Sequence, residues 1–170
     1  MKSKTTINRL FFYWISSFIL ASSLYYILWL MMPSHHVFGA LYRMFLYHWA
    51  FPMQYIAIPC FFYGIIASLF AIKFQNSKII GRIIITILII VLVILVSSPF
   101  GGMLWHLHDM NAGYFPKHWI SKMITNGFIW GLEMGWLIIA LSIPYNIIGS
   151  VISYFLTKKG IELFKDKVTI

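Results

Sequence analysis

The sequence predicts an all-α integral membrane protein, a four-helix transmembrane bundle with both termini in the cytoplasm. Three observations predict it. Of 170 residues, 61% are hydrophobic and only 10% charged, against roughly 25% charged in a soluble domain. The apolar residues fall into long uncharged runs, each near or above the ~20 residues that carry a helix across the hydrocarbon core. Ten of the thirteen Lys and Arg residues lie in the N-tail, the 73–82 turn and the C-tail. These three segments share one side if the spans number four, and an excess of basic residues marks the cytoplasmic side. The whole chain, 1–170, reads as a single transmembrane domain, and a bacterial-type plasma (inner) membrane is its simplest host.

Lys2, Lys4 and Arg9 precede an uncharged run over 10–32, the first expected span. That run continues past Ala21-Ser22-Ser23, well beyond the roughly 7–15 apolar residues of a cleaved signal peptide, so it reads as a permanent anchor. Pro33 ends it, and 33–50 forms a largely apolar outer connection with one charge, Arg43, expected to lie in the interface. The second span is expected over 49–72, with Pro52 near its start and Pro59 inside, a position tolerated where neighbours satisfy the freed carbonyl. The third, 83–100, carries the β-branched run IIITILIIVLVILV. In lipid this run must be helical, because strands leave edge groups unpaired. Pro99, Gly101 and Gly102 are read as breaking the backbone into an irregular outer segment. The fourth span, 123–156, exceeds the ~30 Å core at about 1.5 Å per residue, so it either kinks at Pro144 or rises above the membrane.

On this topology all six histidines face outward: His35, His36 and His48 in the first outer connection, His106, His108 and His118 in the second. Every methionine except Met1 also falls in the outer loops or at the outer helix ends. Imidazole with thioether is a ligand set suited to copper, and imidazole also accepts zinc. The candidate metal ligands are therefore His106, His108, Asp109, His48 and Glu133, serving a copper-type binding or redox-associated site. Backbone conformation decides between two arrangements. An extended chain turns His106 and His108 to one side as a chelate, whereas a helix separates them and aligns His106 with Asp109 and Met110. The second is the geometry of a histidine oriented by a carboxylate, the mark of a general base or a ligand with its outer partner.

Glu133 lies in an apolar helix, where a carboxylate requires an account. Gly127, Gly131 and Gly135 repeat every four residues beside it, a small-residue stripe that lets another helix approach. Ordinary helix packing is the simpler reading of that stripe, and a partner protein or a second copy is the other. Glu133 falls on the opposite face with Ile129 and Trp130. Each polar residue also has an ordinary explanation: histidine and aromatic side chains gather at membrane interfaces, and methionine fills gaps between helices.

Three functional classes follow: the metal site; an enzyme acting on lipid in the outer leaflet, with His106 or His108 as general base, Asp109 and Glu133 beside it and Arg43 as phosphate contact; and a non-enzymatic accessory or immunity-type subunit. Other classes are excluded. A net charge of +9 is spread in small groups beside apolar runs, where it serves topology and anionic headgroups rather than nucleic acid. Cys60 is the only cysteine, so disulfide redox chemistry within one chain is impossible. A diheme bundle is unlike this chain, because its axial histidines are needed towards both faces.

Overall fold

The computed structural model describes residues 2–31, 52–114, 116, 120–141 and 143–164. Among them the chain is all-helical, with five helices and no strand: α1 Lys2–Met31, α2 Pro52–Asn76, α3 Ile79–Asn111, α4 Ile120–Leu141 and α5 Ile143–Leu163. Three are long and apolar enough to cross a membrane, over Thr5–Ile27, Met53–Asn76 and Ile79–Asn111. Their outer faces fit that environment. Ile7, Phe11, Ile15 and Ile19 stand exposed at helical spacing along α1, and Ile79, Ile80, Ile83, Ile84 and Ile87 do so along α3. In water such stripes would drive aggregation; a lipid bilayer covers them at no cost.

α1 and α2 pack antiparallel. Tyr25, Ile56 and Cys60 cluster at one end, and further along Gly64 of α2 lies against the Leu10 carbonyl and Trp14, where a Cβ would sit 3.0 and 3.1 Å from them. The α2–α3 turn is tied by Arg82. Its Nε donates to the carbonyls of Ser77 and Phe74 at 2.9 and 3.2 Å, and its Nη2 to Gln75 at 3.2 Å. A cation on the last carbonyls of α2 also meets the negative end of that helix dipole. α5 returns along α1, α2 and the first half of α3, and the shared core holds Tyr13, Tyr63, Ala67, Phe74, Ile89 and Leu156.

One expectation is corrected. The third helix does not break at Pro99-Gly101-Gly102 but continues to Asn111. Proline 99 lacks the amide hydrogen that would bond the Leu95 carbonyl, and the Ser98 hydroxyl supplies it instead, donating to Leu95 O at 3.2 Å. The helix stops at Gly113, the positive-φ glycine (φ 86°). There the Tyr114 amide donates to Asp109 O at 2.9 Å and the Gly113 amide to Met110 O at 3.2 Å, the Schellman pattern. The stretch 123–156, expected to kink at Pro144 or to rise above the membrane, is covered by two helices, α4 to Leu141 and α5 from Ile143. Pro144 then sits in the first turn of α5, where no amide hydrogen is needed. Pro52 likewise stands at the start of the described α2, and residues 49–51 lie outside the described residues. The interfacial segment expected within 33–50 lies outside the described residues.

Candidate functional site

The glycines read as a break form a helix crossing. α4 runs antiparallel to α3 with Gly127, Gly131 and Gly135 turned onto it. A Cβ on Gly131 would lie 2.7 Å from Pro99 Cα, one on Gly102 2.8 Å from Gly131 Cα, and one on Gly127 2.9 Å from Met103 Cα. Such backbone contact is open only to residues without a side chain. The small-residue stripe is thus occupied by the chain's own α3. This crossing sets the last turns of α3 beside the first turns of α4, and brings Trp105 and Trp130 to 5.5 Å between ring centroids.

His106 packs into that aromatic wall, 6.2 Å from the Trp130 ring. Its Nδ1 lies 3.2 Å from Gly102 O. A carbonyl oxygen only accepts, so Nδ1 carries the hydrogen, and in the neutral ring Nε2 holds the lone pair. The partner that orients this imidazole is therefore a backbone carbonyl rather than Asp109. Asp109 lies within electrostatic reach of the Tyr55 hydroxyl, which itself donates to Gly101 O at 3.0 Å. Tyr55 and the two glycine carbonyls thus join the first turns of α2 to the site. Sequence reasoning missed these groups. The signal that could have found them was Gly101-Gly102 set against an equally small Gly127/Gly131 face.

Because α3 is helical here, His106 and His108 diverge by about 200°, and the two-histidine chelate requiring an extended chain does not form. His106, Asp109 and Met110 share a face; Met110 is buried, and His106, His108 and Asp109 are half-buried. Glu133 is exposed on α4, on the side opposite the glycines. The register of Gly131 and Gly135 against Pro99 and Ser98 puts Glu133 near the level of Ser98, roughly 12 Å along the axis from His106. Among the described residues, no three His, Cys, Asp or Glu side chains gather where one metal ion would sit. His48 and Arg43, like His35, His36 and His118, lie outside the described residues.

No family model, curated protein or solved structure matches this chain.

Proposed function

We propose that the protein is a plasma-membrane protein whose extracytoplasmic face holds a copper-type metal site centred on His106. The observation that carries this is the Nδ1–H···O=C bond from His106 to Gly102. It fixes the tautomer and orients the ring, as outer partners of metal-bound histidines do, and leaves Nε2 as the donor atom. Asp109 shares the face, and His48 is the further ligand suggested by the joint placement of histidine and methionine on one side of the chain. His108 and Glu133 are left out of this first set by the helical register. Topologically, α1, α2 and α3 cross in turn and α4 with α5 completes the fourth crossing, leaving both termini in the cytoplasm.

Single cysteines at Ser34 or Lys117, in a Cys60→Ala background, should react with an impermeant maleimide in intact cells. Reaction only after permeabilisation would place the site in the cytoplasm and overturn the topology. For the metal, protein purified without a histidine tag is loaded with cuprous or zinc ion and assayed by elemental analysis. Near-stoichiometric binding is expected. His106→Ala should weaken it by more than the roughly 10–100-fold typical of losing an outer partner, and Asp109→Asn, which neutralises the carboxylate on the same face, should weaken it as well. His108→Ala should leave it unchanged, because His108 points elsewhere. Absence of binding to either ion defeats the proposal.

The same tautomer favours a second reading, an outer-leaflet lipid-modifying enzyme in which Nε2 of His106 is a general base. It expects no metal, and loss of activity on lipid with His106→Ala. An accessory-subunit role, as a hetero-partner or a homo-oligomer, would have to use a surface other than the glycine stripe, which α3 already fills.

A further inference from the structure

The last turn of α3 carries a group that the His106 site has not yet used, the thioether of Met110. Met110 is only 8% exposed, yet it lies outside the two apolar clusters that the described residues form along the bundle. Filling a gap in those clusters, the ordinary use of a buried methionine, therefore does not account for it. Its place on the helix does. Met110 follows His106 by four residues within one continuous helix, and side chains at that spacing sit one above the other, with Cβ atoms roughly 5–6 Å apart. A long side chain such as methionine leans back over the preceding turn, which here is the turn of His106.

The His106 ring is turned to meet it. Its Nδ1 lies 3.2 Å from Gly102 O, one turn back along the helix. Nδ1 and Nε2 sit on opposite edges of an imidazole ring, so the edge carrying Nε2 faces the other way, along the helix towards Met110. Sulphur and Nε2 thus approach one point from successive turns. The same end of α3 favours a positive charge there. Its last carbonyls form the negative pole of the helix dipole, and the Asp109 carboxylate, three residues after His106, shares the face.

We propose that Met110 and His106 together ligate a cuprous ion, and that the thioether makes the site selective for Cu(I) over zinc. This rests on the metal reading above and narrows it to one ion. A thioether is a soft donor that selects the cuprous ion, whereas zinc is held by thiolate, imidazole or carboxylate groups, usually four donors in a tetrahedron. Among the described residues no three His, Cys, Asp or Glu side chains come together, so these residues offer zinc no such set. One imidazole and one thioether are few and soft, and a closed-shell cuprous ion accepts so small a set.

The full chain, purified without a histidine tag in thiol-free buffer, is loaded anaerobically with cuprous ion, and a parallel sample with zinc. Copper-edge X-ray absorption then reads the neighbours of the bound ion. Wild type should show both nitrogen and sulphur neighbours, and should hold cuprous ion more tightly than zinc against competing chelators. Met110→Leu keeps the volume and apolar character of the side chain and removes the sulphur. It should lose the sulphur neighbour and weaken cuprous binding by at least about tenfold, the lower end of what losing an outer partner alone costs. Zinc binding and melting temperature should stay as in the wild type. A wild-type spectrum without a sulphur neighbour overturns the assignment whether or not the variant folds. So does a Met110→Leu chain that keeps both the sulphur neighbour and the wild-type affinity. In either case the bound copper leaves the metal reading standing, whereas failure of the wild type to bind either ion removes both.

Discussion

A Gly131→Leu chain is expected to lose the α3–α4 pair altogether. At Gly131 the nearest atoms to a new Cβ are the Ser98 carbonyl oxygen, Pro99 Cα at 2.7 Å and Ser98 C at 2.8 Å. All three are backbone, so no rotamer change relieves the clash and the helices must separate. Even alanine there is expected to cost about 1–3 kcal/mol, the usual range for overpacking, and leucine more. Gly102→Ala should match Gly131→Ala, because its Cβ meets the facing backbone at 2.8 Å. Gly135→Ala should be milder: its closest contact is the Ser98 hydroxyl at 2.6 Å, a side chain that can turn. Gly149→Ala, with open space at its Cβ, is the control. Unfolding in mixed detergent–SDS micelles measures the series. Equal stability of Gly131→Ala and Gly149→Ala would refute the crossing. The site should fail with the fold, because Trp130 reaches His106 only while α4 lies on α3.

That dependence explains what was legible before any coordinates. Helical class and the long apolar runs were readable, since lipid leaves the backbone few alternatives and composition reports lipid directly. The glycine stripe was readable as a contact face from its four-residue period. The continuity of α3 was not. Pro99, Gly101 and Gly102 are helix-breaking residues in water, and their effect is reversed here by the Ser98 hydroxyl on Leu95 O and by a neighbour that needs bare backbone at Gly102. The true stop, Asn111-Ala112-Gly113, carried its own local signal in a C-terminal glycine, which the apparent break upstream obscured. Nor did the sequence disclose the role of Gly102 O in orienting His106. Main-chain acceptors have no residue-type signature, and a carboxylate three positions on looked like the natural partner. Histidine and acidic residues close in sequence became a divergent set once the helix register was known.

At the other end of the bundle, Tyr13 and Gly160 should behave as a compensating pair. Tyr13 is 0% exposed. Its hydroxyl donates to Thr157 O at 3.0 Å, and its ring meets Tyr63 edge-on at 5.9 Å. The Tyr63 hydroxyl has one hydrogen and two neighbours, Ser153 O at 3.1 Å and Thr157 Oγ1 at 2.9 Å. Since the carbonyl can only accept, Tyr63 donates to Ser153 O and Thr157 donates to Tyr63. Three helices are thereby tied at one level. Tyr13→Phe, which removes only the hydroxyl, is expected to cost about 0.6 kcal/mol, the average for interhelical hydrogen bonds in a membrane. Tyr13→Ala also empties the ring's space and should cost about 3 kcal/mol or more. A Cβ on Gly160 would lie 2.7 and 2.8 Å from Tyr13 Cζ and Oη, so Gly160→Leu forces the ring out of a closed core and should cost about 1–3 kcal/mol. In the double variant the leucine grows into the volume that the tyrosine leaves. Its destabilisation should therefore fall short of the sum of the singles by at least about 1 kcal/mol, as expected for side chains sharing one space. The same SDS titration reads all four chains, and strict additivity would show that Tyr13 does not pack on Gly160.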